Sequence, residues 1–155
     1  MPIRISIADE QSGLKIDRVR IREVVRKTLQ SQQVRDAEIS VALIDDSAMH
    51  VLNRRHLDHD YPTDVLSFLL SDEHSGNDAS EESPLEGEII ISTETAMRQA
   101  GEYGWTPQAE LTLYLVHGLL HLCGYDDHSS ADRRKMRAVE RVVLQIWGLT
   151  PHYAG

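Results

Sequence analysis

Two histidines lie one helical turn apart inside an apolar segment of the chain. The segment spans residues 106–123 and reads TPQAELTLYLVHGLLHLC. A threonine followed by a proline is a typical helix start, and apolar residues on all sides of the following turns predict a buried helix. His117 and His121 are four residues apart, so they lie on the same side of that helix. Two imidazoles in this arrangement can bind one metal ion.

The residues after this helix supply further side chains of the kind that bind metals. Gly124 is suited to end the helix, and Asp126, Asp127 and His128 follow it. Three protein ligands with a fourth position left open are typical of a catalytic zinc site. The alternative is that both histidines are ordinary core residues with hydrogen-bond partners. Metal binding is the favoured interpretation, because ligand-type side chains return directly after the turn.

The helix lacks one residue that zinc peptidases require. Peptidases with the pattern H-E-x-x-H carry a glutamate base directly after the first histidine. Gly118 occupies that position here. The glycine leaves room for a substrate or for a closely packed helix. A zinc hydrolase that acts on amides or peptides is therefore an alternative that the helix geometry permits but the missing glutamate disfavours.

Composition limits the class of protein. A length of 155 residues suits a single domain, which we predict over residues 1–155. A formal net charge of -9 argues against a surface that coats nucleic acid, although it allows a local basic groove. A single cysteine allows no disulfide within the chain, and the first ten residues do not resemble a secretory signal. No apolar run is long enough to span a bilayer. We expect a cytoplasmic protein without a membrane partner.

Hydrophobic periodicity predicts an α+β fold, with a small mixed sheet of about four strands and about five helices packed around the buried metal-binding helix. Strands are predicted at residues 3–8, 38–44, 65–70 and 88–92, the third of them buried on both faces. Besides the histidine helix, helices are predicted at residues 17–30, 48–55, 93–101 and 131–147. The apolar set of the last helix is Met136, Val139, Val142, Val143, Ile146 and Trp147. Residues 71–86 are polar and acidic, and are predicted to form a flexible loop.

The first helix carries a group of cations that could meet phosphates. A solvated helix face is the favoured interpretation of this group. Its members are Arg18, Arg20, Arg22, Arg26 and Lys27.

Three segments of the chain resemble the YbeY family, described as zinc-dependent single-strand endoribonucleases that mature bacterial rRNA. The segments are LNRRHLDHDYPTDVLSF at 52–68, GEIIIS at 87–92 and HGLLHLCGYDD at 117–127. The order and spacing of the elements are also similar over nearly the whole chain. The resemblance implies a hydrolase of phosphodiester bonds that acts in maturation of the 3′ end of small-subunit rRNA and in ribosome quality control. It also implies rRNA and the small ribosomal subunit as partners, and no DNA.

The resemblance implies one Zn²⁺ per chain, with nickel, cobalt or manganese as alternatives. The family motif closes on a histidine where this chain has Asp127, and His128 comes one residue later. Met136 lies nine residues after Asp127, a spacing similar to that between the third ligand and a methionine in the family. The implied ligands are therefore His117, His121 and Asp127, with His128 as the alternative third ligand.

The resemblance leaves the general base and the RNA contacts open. The metal would polarise a phosphate oxygen or activate a water, and Asp126 or His128 could accept a proton. Leu57 stands where many relatives carry an arginine, so other cations must contact the RNA. The candidates for this contact are Arg54, Arg55 and Arg98. If Asp127 and His128 both bound the metal, the site would be closed and structural, and the chain would be a ribosome-associated binding factor.

Overall fold

The computed structural model describes residues 2–55, 65–70 and 84–151, with the side chains of residues 53–55 excepted. The elements in chain order are β1 (Ile3–Asp9), α1 (Arg18–Ser31), β2 (Ala37–Ile44), α2 (Asp46–Arg55), β3 (Val65–Leu69), β4 (Leu85–Ser92), α3 (Thr93–Tyr103), α4 (Pro107–Leu122), α5 (Ser130–Leu144) and a 3-10 turn (Gln145–Trp147). The predicted α+β fold, with a mixed four-stranded sheet and five helices, is confirmed for this part of the chain.

The sheet has the strand order β1-β2-β4-β3. β2 pairs in parallel with both β1 and β4, and β3 pairs antiparallel with β4. β2 and β4 are the central strands, and alternate residues on them are fully buried on one face. That face belongs to the main core, to which α1, α4 and α5 also contribute. A smaller cluster on the opposite face joins Met49 of α2 to Leu66 and Ile90.

Both ends of α4 are formed as the sequence predicts. The Thr106 side chain accepts a hydrogen bond from the Ala109 N–H at 3.1 Å, and Pro107 occupies the first turn. At the other end Gly124 has φ = 104°, a left-handed conformation that a side chain would disfavour. This turn lets the Tyr125 N–H bond to the Leu120 carbonyl at 3.0 Å. The chain is thereby directed back along the helix that it has just left.

Two glycines allow α4 to lie close to the sheet. A Cβ at Gly118 would lie 3.1 Å from Ile89 Cγ2 and 3.2 Å from Ser67 Oγ. A Cβ at Gly87 of β4 would lie 2.6 Å from Leu122 Cδ1. The prediction that Gly118 makes room for a substrate or a neighbouring helix is therefore wrong. Strands β3 and β4 occupy that space, and the Ser67 hydroxyl donates to the Gly118 carbonyl at 3.2 Å.

Two predicted boundaries shift in the sheet. β4 begins at Leu85, three residues early, because it pairs with β2 from Ala37 onward. The last two residues of the predicted loop 71–86 are thus in a strand, while residues 71–83 lie outside the described residues. β3 is an edge strand rather than one buried on both faces, and Leu69 is 50% exposed.

The last helix also differs from its prediction. The residues of α5 that are buried are Met136, Glu140, Val143 and Leu144, at the spacing i, i+4, i+7 and i+8. The predicted apolar residue Val142 is 72% exposed, because it points away from that stripe. Ile146 is exposed as well, in the 3-10 turn, whose tighter winding changes the direction of its side chain. A carboxylate, Glu140, therefore occupies a core position of the helix.

The described helices were also compared with the dimensions of a bilayer. None of them combines the length and the apolar character that crossing a membrane would require.

The close approach of α4 to β4 predicts opposite effects for two glycine substitutions. Gly87→Ala should lower the free energy of unfolding by about 1–3 kcal/mol, because Leu122 must move within a packed core. The control, Gly101→Ala, adds a methyl to α3 where no atom lies within 4 Å and should raise it by up to about 1 kcal/mol. Urea unfolding monitored by circular dichroism measures both. Equal stability of the two variants would contradict this account of the packing.

Candidate metal centre

The structure brings His117, His121 and Asp127 together, each half-buried. The two histidine Nε2 atoms are 3.2 Å apart. Asp127 Oδ2 lies 3.8 Å from Nε2 of His117 and 3.6 Å from Nε2 of His121. Four-residue spacing on α4 explains the first approach, and the turn at Gly124 explains the second. Among the described residues, these three form the cluster of histidine, cysteine and acidic side chains that could hold a metal ion.

A buried carboxylate fixes the orientation of the first histidine. Nδ1 of His117 lies 2.5 Å from Oε2 of Glu140, whose side chain is 3% exposed. An ionised carboxylate can only accept hydrogen bonds, so Nδ1 carries the proton and donates it. In the neutral imidazole, Nε2 then has a free lone pair. This lone pair points at the cluster.

A backbone carbonyl does the same for the second histidine. Nδ1 of His121 lies 3.1 Å from the carbonyl oxygen of Tyr125, which accepts its proton. Burial lowers the pKa of His121, and the neighbouring His117 lowers it further, while Asp127 partly opposes both effects. His121 is therefore neutral at neutral pH, with the lone pair of Nε2 free. Tyr125 itself is anchored to α1 because its hydroxyl donates to Gln32 Oε1 at 3.0 Å.

The three atoms fit a small divalent cation. In tetrahedral coordination with bonds of about 2.0–2.2 Å, ligand atoms lie about 3.3–3.5 Å apart. The observed separations of 3.2, 3.6 and 3.8 Å are close to these values. Two lone pairs and a carboxylate that face one point repel one another unless a cation lies between them. A histidine that donates its other N–H to a carboxylate is also a common arrangement around metals.

The turn that carries Asp127 is held at several points. The Asp127 N–H donates to Oδ1 of Asp126 at 2.7 Å, and the Asp127 carbonyl accepts from Nη1 of Arg133 at 3.3 Å. Ser129 then caps α5 by accepting from the Asp132 N–H. These contacts fix the backbone on both sides of the carboxylate. Asp127 is thereby presented to the two histidines.

His128, the alternative third ligand of the sequence analysis, lies apart from the cluster. Its side chain is 78% exposed, and its Nδ1 lies 2.8 Å from Oδ1 of Asp126. Asp126 is itself exposed on the outer side of the turn. The two residues considered for proton transfer thus form an exposed pair on either side of Asp127.

Of the RNA-contact candidates, the structure describes the side chain of Arg98 alone. The side chains of Arg54 and Arg55 lie outside the described residues, as do residues 56–64 with Leu57. Arg98 Nη1 donates to Oδ2 of Asp46 at 2.7 Å, which joins α3 to α2. Burial disfavours the ionised form of Asp46, but hydrogen bonds from Ser92, Arg98 and Thr95 outweigh it and lower its pKa. Arg98 is thus engaged in a contact between helices.

Sequence reasoning missed two groups that orient the histidines. The Tyr125 carbonyl leaves no mark in the sequence, because any residue supplies a backbone oxygen. Glu140 does leave one, as a carboxylate at a core position of the apolar stripe of α5. The remaining thiol is chemically quiet: burial raises the pKa of Cys123 to about 11, so it is protonated at neutral pH.

The fold and the cluster define an α+β protein with a His-His-Asp site, on a buried helix, that could bind a metal. The family model described as Endoribonuclease YbeY matches residues 6–148. A protein named Endoribonuclease YbeY from Desulfitobacterium hafniense (strain Y51) is 46% identical over 121 residues, 77% of each chain. Its namesake from Geobacillus thermodenitrificans (strain NG80-2) is 36% identical over 155 residues, 97% of this chain and 99% of the relative. The chain belongs to the YbeY family, which confirms the resemblance seen in its motifs.

A solved structure agrees with the fold. The solution structure of TM1509 from Thermotoga maritima matches this chain with a TM-score of 0.56 and 26% sequence identity. The match covers 97% of this chain and 96% of the other. The arrangement of sheet and helices is therefore similar over nearly the full length.

The contact between Glu140 and His117 predicts an effect on metal affinity. Glu140→Gln should weaken binding of Zn²⁺ or Co²⁺ by about 10–100-fold, because the amide is a poorer acceptor for the Nδ1 proton. The matched control is Glu110→Gln, a buried carboxylate on α4 outside the cluster, which should leave the affinity unchanged. Competition with a chelating dye measures both dissociation constants, and urea unfolding of the metal-free proteins separates lost stability from lost affinity. Equal affinity of the Glu140 variant and the wild type would contradict the orienting role.

Proposed function

We propose that the chain is a metal-dependent, single-strand-specific endoribonuclease whose metal is held by His117, His121 and Asp127. Membership of the family makes it an endoribonuclease with a role in rRNA processing. The finer proposals concern the site, the metal and the target. We assign the target as the 3′ end of small-subunit rRNA, with a further part in ribosome quality control.

One observation supports the metal site above all others. The Nδ1 atoms of both histidines are occupied by acceptors, so both Nε2 lone pairs converge on the Asp127 carboxylate. Core histidines that only satisfied their hydrogen bonds would not need to direct two lone pairs at each other. Imidazole and carboxylate ligands suit zinc, which is the ion we propose. Nickel, cobalt and manganese suit such ligands as well.

Three protein ligands favour catalysis over a structural role. Structural zinc sites are closed by four protein ligands, whereas catalytic sites retain an open position. Within the described residues the cluster has three members, and His128 is bonded to Asp126 instead. When bound, a divalent ion would polarise a phosphodiester oxygen and stabilise the charge that develops there. Asp127 makes the site less positive than three imidazoles would, which weakens this polarisation.

The protein residues around the site divide the remaining tasks. Glu140 is buried against His117, so it orients a ligand and does not reach a substrate. Asp126 and His128 are exposed beside Asp127, and we propose that one of them assists proton transfer. We also propose that the chain acts in the cytoplasm on RNA presented by the small ribosomal subunit. Presentation by a partner explains how a chain with a net charge of -9 acts on a polyanion.

Adjacent residues of the turn allow a sharp test of the ligand set. Asp127→Ala should lose the bound metal and reduce cleavage of single-stranded RNA at least about 100-fold, because a ligand is removed. His128→Ala, the matched control one residue later, should retain one metal per chain. Metal content by mass spectrometry and cleavage of a labelled oligonucleotide, before and after chelation, are the measurements. Loss of metal in His128→Ala with retention in Asp127→Ala would overturn the assignment.

The rRNA target is tested in cells. In a bacterial strain that lacks its own family member, wild-type chain should restore the mature 3′ end of small-subunit rRNA. Asp127→Ala should leave extended precursors, because the metal site is incomplete. Mapping of rRNA 3′ ends by sequencing measures the precursor fraction. Equal rescue by the wild type and by Asp127→Ala would show that processing does not depend on this site.

A further inference from the structure

α5 has a charge opposite to that of the chain as a whole. Five of the 16 lysines and arginines lie in its 15 residues, against two carboxylates. One of those carboxylates, Glu140, is turned inward to His117. The outer surface of α5 is therefore strongly basic on a chain whose net charge is -9. Its cations are Arg133, Arg134, Lys135, Arg137 and Arg141.

The first of these cations lies beside the candidate metal centre. Nη1 of Arg133 donates to the Asp127 carbonyl at 3.3 Å, and the side chain is exposed. A guanidinium has five N–H donors, and this contact uses one of them. In the part of the chain that the structure describes, no other partner of this guanidinium is found. The remaining donors are directed at the surroundings of Asp127.

Helical spacing adds a second arginine to the same side of α5. At about 100° per residue, Arg134 follows Arg133 around the helix, on the side away from the buried stripe. Both are exposed. Lys135, about 200° from Arg133, lies on the opposite side of the helix. The helix thus offers two cations on one side and a matched cation on the other.

The other basic helix is engaged in a different way. Arg22 of α1 donates to the Ile5 carbonyl at 2.9 Å, and Arg18 donates to the Ile7 carbonyl at 3.5 Å. These contacts cover the outer edge of β1, which has no further strand. Arg20 lies over the ring of Trp147. Since the cations of α1 support the fold in this way, α5 is the better surface for an anionic ligand.

We propose that Arg133 and Arg134 bind the phosphates of single-stranded RNA next to the candidate metal centre. The inference rests on the proposed function, because it assumes that RNA reaches that centre. A guanidinium binds phosphate through two parallel hydrogen bonds, which suits a backbone that must be held in register. Repulsion by the rest of the acidic chain then confines the RNA to this side of α5. Arg133 thereby couples the position of the strand to the turn that carries Asp127.

Binding and its salt dependence test this proposal. Metal-loaded protein is titrated into a fluorescein-labelled, 2′-O-methylated RNA oligonucleotide at several salt concentrations, and a gel checks that the RNA is intact. Each lost phosphate contact lowers the log–log salt slope by about 0.7, which corresponds to about five-fold weaker binding at about 0.1 M salt. Arg133→Gln and Arg134→Gln should each show this loss. Lys135→Gln, with the same change of charge, should weaken binding less than about two-fold.

Two further readings keep the outcome decisive. Arg134→Gln leaves the Asp127 hydrogen bond intact, so it separates phosphate binding from disturbance of the turn, and metal content is measured for every variant. If all three variants lose equal affinity, the effect is general charge and the proposal fails. If polyglutamate displaces the RNA as well as unlabelled RNA does at equal charge, the surface recognises acidic proteins and the proposal fails.

The result is independent of the proposed function. Wild-type protein that cleaves RNA while Arg133→Gln and Arg134→Gln bind like the wild type would overturn this inference alone. Wild-type protein that binds RNA through these arginines but never cleaves it above the metal-free background would overturn the proposed function and leave the binding surface in place.

Discussion

The hydrogen bond between Glu140 and Nδ1 of His117 is the constraint on which the site depends. It joins α5 to α4 in the core and determines which nitrogen of the histidine is free. A buried carboxylate and a buried imidazole would each be unfavourable alone, but together they satisfy one another. The Tyr125 carbonyl has the same effect on His121. Both lone pairs then meet Asp127, so the fold presents three ligand atoms before any ion is bound.

The rest of the structure serves this arrangement. α4 is buried on nearly all sides and lies close to the sheet because Gly87 and Gly118 have no side chains. Close packing of this kind holds the two histidines on a rigid element, which suits a site whose ligands must be preorganised. The turn after α4 is bonded to α1 through Tyr125 and to α5 through Arg133. Ligands on a helix and on the following turn therefore move together.

Much of this site was predictable because its signals are local. The spacing of His117 and His121, the helix caps and the glycine turn each follow from neighbouring residues. The choice between Asp127 and His128 depended on a resemblance, and the structure places only Asp127 at the histidines. The partners of the Nδ1 atoms, the edge position of β3 and the pairing of Arg98 with Asp46 were not predictable. Each depends on contacts between residues far apart in sequence, which periodicity does not report.

The central claim is that two histidines and Asp127 form an open metal site. X-ray diffraction from crystals of the metal-reconstituted chain, recorded at the absorption edge of the ion, tests it most directly. The account predicts one anomalous peak per chain, bonded to Nε2 of both histidines and to the Asp127 carboxylate, with non-protein atoms in the remaining positions. A fourth protein ligand, such as His128, would contradict an open site. A peak away from the two histidines would contradict the account as a whole.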